Sequence, residues 1–268
     1  MKKIVLFLIC FVIASTAYAQ KTTVAVGEVT GGSGAGSEQI TALRTKIING
    51  LAAFPRLNVV DVKNLGLSVS NVGIEDLQKN GVDNLVSANI ESITTGSSTT
   101  DGKTRYEAKM KYSVTVVDVH TGQVVGTLTK TRYGSSSTGT NDAKNDLFGL
   151  ITSDMKELVE NNFRVVASFV AIDESNARKG AVTVYIQAGT NQGITKGMLF
   201  EVYKIVEVAG EQVEKKIGEV KCNEISGEAL SLCKVTKGGK EIQAAYDDEL
   251  QLIVISKPGL LTTVGSIL

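Results

Sequence analysis

Up to residue 162 the apolar residues of this chain recur at two periods, and past residue 164 only one of them survives. Ile40, Leu43, Ile47 and Leu51 fall on one side of a helix, as do Leu147, Leu150, Ile151, Met155, Leu158 and Val159. Between these helices lie runs that alternate as strands do. Beyond residue 164 short strand-like runs follow at about 164–172, 181–187, 198–208, 213–225, 228–236 and 249–256, separated by clusters of Gly, Asp and Asn. A chain whose hydrophobic period changes in this way folds as two units. The expected class is α+β: an N-terminal α/β sandwich, with a mixed sheet and two main helices over residues 20–163, and a C-terminal small β-barrel of the SH3 or OB kind over residues 164–257.

In the first unit Val24, Val26 and Val29 read as a strand, followed by a glycine-rich segment, a helix and a second strand over residues 57–62 after Pro55. This β-α-β order brings parallel strands together. A short helix near residues 74–80 leads into a third strand over 84–93. Two long alternating runs, 106–119 and 123–133, then flank Asp118-Val119-His120-Thr121-Gly122 as a hairpin. Segments 94–102 and 134–140, rich in Ser, Thr and Gly, read as exposed loops. Asn141 or Asp142 caps the last helix, which runs to about Asn162.

In the second unit Gly189, Gly193 and Gly197 recur every fourth residue before Leu199, Phe200, Glu201, Val202 and Tyr203. The stretch is too polar for helix packing and no helix follows it, so the glycines read as turn chemistry between two strands.

Lys2 and Lys3 precede an apolar run at residues 4–14, and Ala17-Tyr18-Ala19 ends it with small residues. This is the pattern of a secretory signal over residues 1–19. The run is shorter than the ~20 residues of a spanning helix, and no later segment approaches that length, so no transmembrane segment is expected in the mature chain. Leu8-Ile9-Cys10 lacks the small residue that precedes a lipid-modified cysteine. The expected location is the periplasm or the periplasmic face of the outer membrane.

Basic and acidic residues balance at 28 each, and aromatics make up 5% with no Trp. Neither a nucleic-acid footprint nor a stacking platform for sugars is indicated. The glycine-rich segment 31–37 sits between a strand and a helix, where a phosphate loop would sit, and Asp61 ends the next strand as a ribose-binding acid would. The motif fails in detail: Ser37 and Glu38 follow the last glycine where Lys is required, and Gly32 and Gly34 lack the third glycine of G-x-G-x-x-G. The segment reads as a flexible connector. His120, the only imidazole, lies in a hairpin turn with no G-x-S-x-G elbow elsewhere. Asp173-Glu174 and Asp247-Asp248-Glu249 lie in turn clusters. No catalytic, metal or cofactor-binding residue is assigned, and no cofactor is expected.

Cys222 and Cys233 are an even pair in an exported chain. With Gly227-Glu228 as a two-residue turn, Cys222 falls opposite Cys233 and Val220 opposite Val235. Counted from that turn the cysteines form a hydrogen-bonded pair, whose wider spacing suits a disulfide less well. A bridge and two buried free thiols both stay open. The tail over residues 258–268 carries Leu260, Leu261, Val264, Ile267 and Leu268, whose burial is worth about 1.5–3 kcal/mol each, so it is expected to dock on its own domain, a neighbouring subunit or a partner.

Residues 22–163 resemble the periplasmic domain of the curli-secretion lipoprotein family and of outer-membrane activators of penicillin-binding proteins. The resemblance is carried by Val24-Ala25-Val26, Asn49-Gly50-Leu51, Leu57-Asn58-Val59-Val60-Asp61, Asp83-Asn84-Leu85-Val86 and the hairpin around Asp118-Val119-His120-Thr121-Gly122. Residues from about 164 to 257 are similar to the C-terminal β-domain of the flagellar assembly T protein, through Gln192-Gly193-Ile194-Thr195-Lys196-Gly197-Met198 and Ile217-Gly218-Glu219-Val220. These resemblances imply a non-enzymatic envelope scaffold or assembly accessory that works through protein–protein contacts, with envelope proteins as partners and a homo-oligomeric ring as one arrangement. The alternatives are a binding module for a small anion or cell-wall glycan, held at segment 31–37 or between the domains, and an activator of a peptidoglycan synthase. A curli-type pore would need apolar outward faces on its hairpins. Here Lys103, Arg105, Glu107, Lys109 and Lys111 share one face, and lipid rejects a midplane Lys or Arg at about 2–4 kcal/mol.

Overall fold

The computed structural model describes residues 21–70 and 72–258. The expected signal at 1–19 and the apolar side chains of the tail, Leu260, Leu261, Val264, Ile267 and Leu268, lie outside the described residues. The chain folds into two units, as its change of period predicts.

The first is a mixed sheet in the order β2-β1-β3-β4-β5. It is built from β1 (Thr22–Ser33), β2 (Leu57–Asp61), β3 (Asn84–Thr100), β4 (Lys103–Asp118) and β5 (Val124–Ser136). β1 runs parallel to both β2 and β3, and β3, β4 and β5 are antiparallel. Helices α1 (Ser37–Ala52), α3 (Thr140–Asp146) and α4 (Ile151–Asn162) cover one face. Leu43, Ile47 and Leu51 of α1 and Met155, Leu158 and Val159 of α4 meet Val24, Val26, Ile90, Met110 and Val114 there, all of them buried. The two helices approach closely because Gly50 has no side chain: a Cβ there would lie 2.7 Å from Met155. On the opposite face α2 (Ile74–Lys79) and the 3-10 turn Val62–Leu65 cover only the β2-β1-β3 end, through Val62, Leu77, Val82 and Val119.

The second unit is a closed barrel in the order β10-β7-β6-β11-β8-β9. Its strands are β6 (Val166–Asn176), β7 (Gly180–Ile186), β8 (Leu199–Val208), β9 (Glu211–Ile225), β10 (Ser231–Lys237) and β11 (Leu252–Ser256), with α5 (Gly239–Asp247) between β10 and β11. Phe200, Val184, Ile186, Val202, Val220 and Val254 fill its core with both cysteines. Closure leaves no unpaired edge. No helix among the described residues is long and apolar enough to cross a membrane.

Several local expectations need correction. The first half of segment 31–37 is not a connector: Gly31 and Ser33 are paired with Ile90 and Ser92, β1 reaches them after a bulge at Gly27-Glu28, and only residues 34–36 join the strand to α1. Residues 94–100 continue β3 in register with β4, up to a turn in which Asp101 and Gly102 both take left-handed backbone, φ 52° and 74°. That is the two-residue hairpin turn whose twist matches the strands. Gly134 to Ser136 likewise continue β5. Ser and Thr suit an exposed ribbon as well as a loop, and long-range pairing decided between them. The helix expected from residue 141 to 162 is two helices, broken over residues 147–150. α5 carries little signal in the sequence, because only Ile242 and Ala245 of its residues are buried.

A basic cleft between the two domains

A cleft is built where the two units meet. Its first wall is the turn from α1 into β2. Pro55 lacks a backbone donor and ends the helical run, so Phe54, Pro55 and Arg56 project from the sheet domain. Arg56 is the joint. Its backbone oxygen accepts from Thr22 N at 3.1 Å, its Nε donates to Phe163 O at 3.0 Å, and its guanidinium lies 5.1 Å from the Phe54 ring centre. Burial pulls the pKa of Arg56 down, and the charge of Glu160 partly offsets this. From α4, Lys156 and Glu160 face the same space one turn apart, 3.8 Å from each other.

The second wall is the stretch whose glycines recur every fourth residue. Gly189 enters a 3-10 turn, Thr190–Gln192, in which the buried Gln192 side chain accepts from Gly189 N at 2.8 Å. Gly193 then takes φ 70°, a conformation costly for any residue with a side chain. A Cβ there would also lie 3.3 Å from Pro55 and 3.6 Å from Arg56, so this loop rests on the Arg56 turn. Gly197 N donates to Cys222 O, and Cys222 N to Met198 O, both at 2.8 Å. These two bonds fix the loop to β9. The third wall is the end of β11, where Lys257 N donates to Leu199 O at 2.8 Å and the Lys257 ammonium pairs with Glu219 at 3.2 Å.

The cleft is half open, with a volume of about 690 Å³. Phe54, Pro55, Ile194, Met198 and Leu199 supply apolar surface, and Arg56, Lys156, Lys196 and Lys257 supply positive charge, with Glu160 beside Lys156 and Glu219 paired with Lys257. A smaller space of about 270 Å³ adjoins it through Arg56, lined also by Lys21 and Arg164 and, among the described residues, by no acid. A chain with balanced charge overall therefore places six cations around one seam, with Glu160 and Glu219 as the carboxylates paired to them among the described residues. Apolar surface ringed by cations suits a partner that carries carboxylate or phosphate beside an apolar part.

The titratable residues singled out in the sequence as candidates for chemistry lie outside this cleft. Asp61 is taken up internally: it pairs with Arg44 at 2.6 Å and accepts from Lys63 N at 2.8 Å. Arg44 also donates to the carbonyl oxygens of Val26 and Gly27, holding the bulge in β1. His120 is exposed and lies 3.4 Å from Asp83, whose other oxygen accepts from Thr23 N. Asp173 accepts from Thr183, and Asp247 from Gln243. Among the described residues no group of three or more His, Cys, Asp and Glu could hold a metal ion. Cys222 and Cys233 stand opposite each other in the barrel core as free thiols. The cleft cations carried no local signal, since each is an ordinary surface Lys or Arg in its own segment.

No family model matches the chain, and no curated protein matches it. Solved structures similar to it include the PelC dodecamer from Paraburkholderia phytofirmans, 17% identical with a TM-score of 0.34 over 50% of this chain and 88% of that one. Lipoprotein GNA1162 from Neisseria meningitidis is 14% identical with a TM-score of 0.37 over 52% of this chain and 99% of that one. The LpoB C-terminal domain from Escherichia coli is 13% identical with a TM-score of 0.32 over 46% of this chain and 91% of that one. Each likeness spans about half of this chain.

Proposed function

We propose that the chain is an exported, non-enzymatic cell-envelope accessory protein that works by holding a partner, and that the cleft between its domains is the contact site. The observation that carries this reading is the gathering of Lys21, Arg56, Lys156, Arg164, Lys196 and Lys257 around an apolar floor. The charged N-terminal residues, apolar run and small-residue end of segment 1–19 support export. The partner is an envelope protein with an acidic, partly apolar segment. Self-association through Leu260, Leu261, Val264, Ile267 and Leu268 belongs to the same reading, since an apolar chain end gains by docking.

The test is capture of partners from envelope extracts by tagged mature chain, comparing wild type with K156E/K196E. Both lysines are more than half exposed or on an open loop, so the variant is expected to fold. A protein held by the wild type at low salt, released as ionic strength rises and absent from the variant is the expected result. Equal capture by both chains would count against the cleft.

A second reading rests on the cations around a half-open cleft of about 690 Å³: a binding module for a small anion or cell-wall glycan fragment. A ligand that binds only the native state raises Tm, by an amount set by its concentration relative to Kd. A thermal-shift screen with muropeptides, phosphates and nucleotides separates the two readings, because the protein-partner reading predicts no shift from any of them.

A further inference from the structure

We propose that Cys222 and Cys233 are a disulfide site, a bridge across β9 and β10 that braces the strand behind the cleft wall. The register places the two residues directly opposite each other, after a bulge at Asn223 that shifts the pairing between Leu232 and Cys233. The hairpin that joins the strands has a three-residue loop closed by Ser226 N donating to Leu230 O at 3.0 Å, not the two-residue turn that the sequence suggested. This changes the kind of pair. In an antiparallel sheet a residue sends its N–H and C=O to the same side, and Cys222 sends both to Met198 and Gly197, away from β10. Toward Cys233 it is therefore a non-hydrogen-bonded position, where Cα atoms stand about 4.5 Å apart, inside the roughly 4.4–6.8 Å that disulfides span.

Both side chains are buried on the inner face of the barrel, among Val184, Val220 and Ala188. Bonding removes only the two thiol hydrogens from that core, so no space has to be made. The step balances with a small-molecule or protein disulfide as oxidant. A thiolate of the pair displaces one half of the oxidant, the second thiolate displaces the other half, the Sγ–Sγ bond forms, and the two protons leave with two oxidant thiols. Burial raises both thiols, with Cys233 pushed up to about 12 and Cys222 less affected, so the closed barrel reacts slowly and the bond forms as the hairpin folds.

The bridge closes a short loop and removes entropy from the unfolded chain. It also ties β10 to the one residue whose backbone holds Gly197 and Met198 in the cleft wall. The disulfide itself does not depend on what the cleft binds.

Its test is oxidative refolding of the full mature chain from urea in oxidised and reduced glutathione, with free thiols then blocked by N-ethylmaleimide. Trypsin cleaves after Lys221 and Lys234, so one peptide carries both cysteines. The expected peptide is lighter by two hydrogens, carries no maleimide and gains two only after reduction. A peptide with two maleimides, or with glutathione on either sulfur, overturns the proposal. The bridged chain should melt on the order of 10 °C above its reduced form and above C222S/C233S. A bridged chain that melts with the reduced one overturns the bracing role.

Discussion

Asp154 is nearly fully buried on α4, facing the sheet, and takes three donors. Tyr112 Oη reaches it at 2.5 Å, Arg132 Nε at 2.8 Å, and the second Arg132 nitrogen completes a two-pronged pair. Burial pushes the Tyr112 phenol up to about 12, so it remains a donor throughout the neutral range. Asp154→Ala would strand the guanidinium and the phenol in an apolar setting. The expected loss is about 3–5 kcal/mol, seen as a lower urea midpoint with little change in m. Arg44 is another of the three buried charged residues among those described, with Asp154 and Glu219, and it too is spent internally, on Asp61 and the bulge of β1. Neither Asp154 nor Arg44 could be told from a surface charge by its neighbours in sequence. At position 154 the helical period gave the only hint, because Asp154 falls beside Ile151, Met155 and Leu158 on the apolar side.

At the scale of elements, the strands of the barrel are joined at one end by a single carboxylate. Glu219 on β9 is reached by Lys216 of the same strand at 3.0 Å, Lys237 of β10 at 3.2 Å and Lys257 beyond β11 at 3.2 Å. Lys216 also bonds Glu201 of β8, at 2.5 Å. The three lysines, Lys216 foremost, hold the Glu219 carboxyl at about 2, below its ordinary 4.5. A carboxyl lowered by folding stabilises the folded state fully above its unfolded value, and that stabilisation is lost as pH falls toward the folded one. The window is therefore pH 4.5 down to 2. Thermal melts of Glu219→Gln should show a shallower loss of Tm across that window than wild type, and a lower Tm than wild type at neutral pH. Parallel slopes would assign the acid sensitivity to other carboxylates. The strands themselves were largely legible, since alternation survives wherever one face is buried. The limits of β1, β3 and β5 were not, because Gly, Ser and Thr say little until a partner strand is in place.

For the whole molecule the decisive contact is Arg56, which ties the sheet domain to the linker at Phe163 and supports the Gly193 loop of the barrel. Domains joined by a small interface move relative to each other unless something holds them. Arg56→Ala should leave both domains folded, with unchanged far-UV circular dichroism, while trypsin cuts after Arg164 several-fold faster. An unchanged cleavage rate would show that other contacts fix the joint.

The sequence by itself determined the two units, the six strands of the barrel, the parallel opening of the sheet and the turn role of Gly189, Gly193 and Gly197. Periodicity and backbone freedom are local properties, and they are written within a few residues. Only the tertiary structure decided that the same glycine stretch forms one wall of a basic cleft, and that Cys222 and Cys233 meet at a non-hydrogen-bonded position. Charge gathered from six separate segments, and a pairing that turns on one bulged residue, arise from which strands meet, and no short window of sequence contains that.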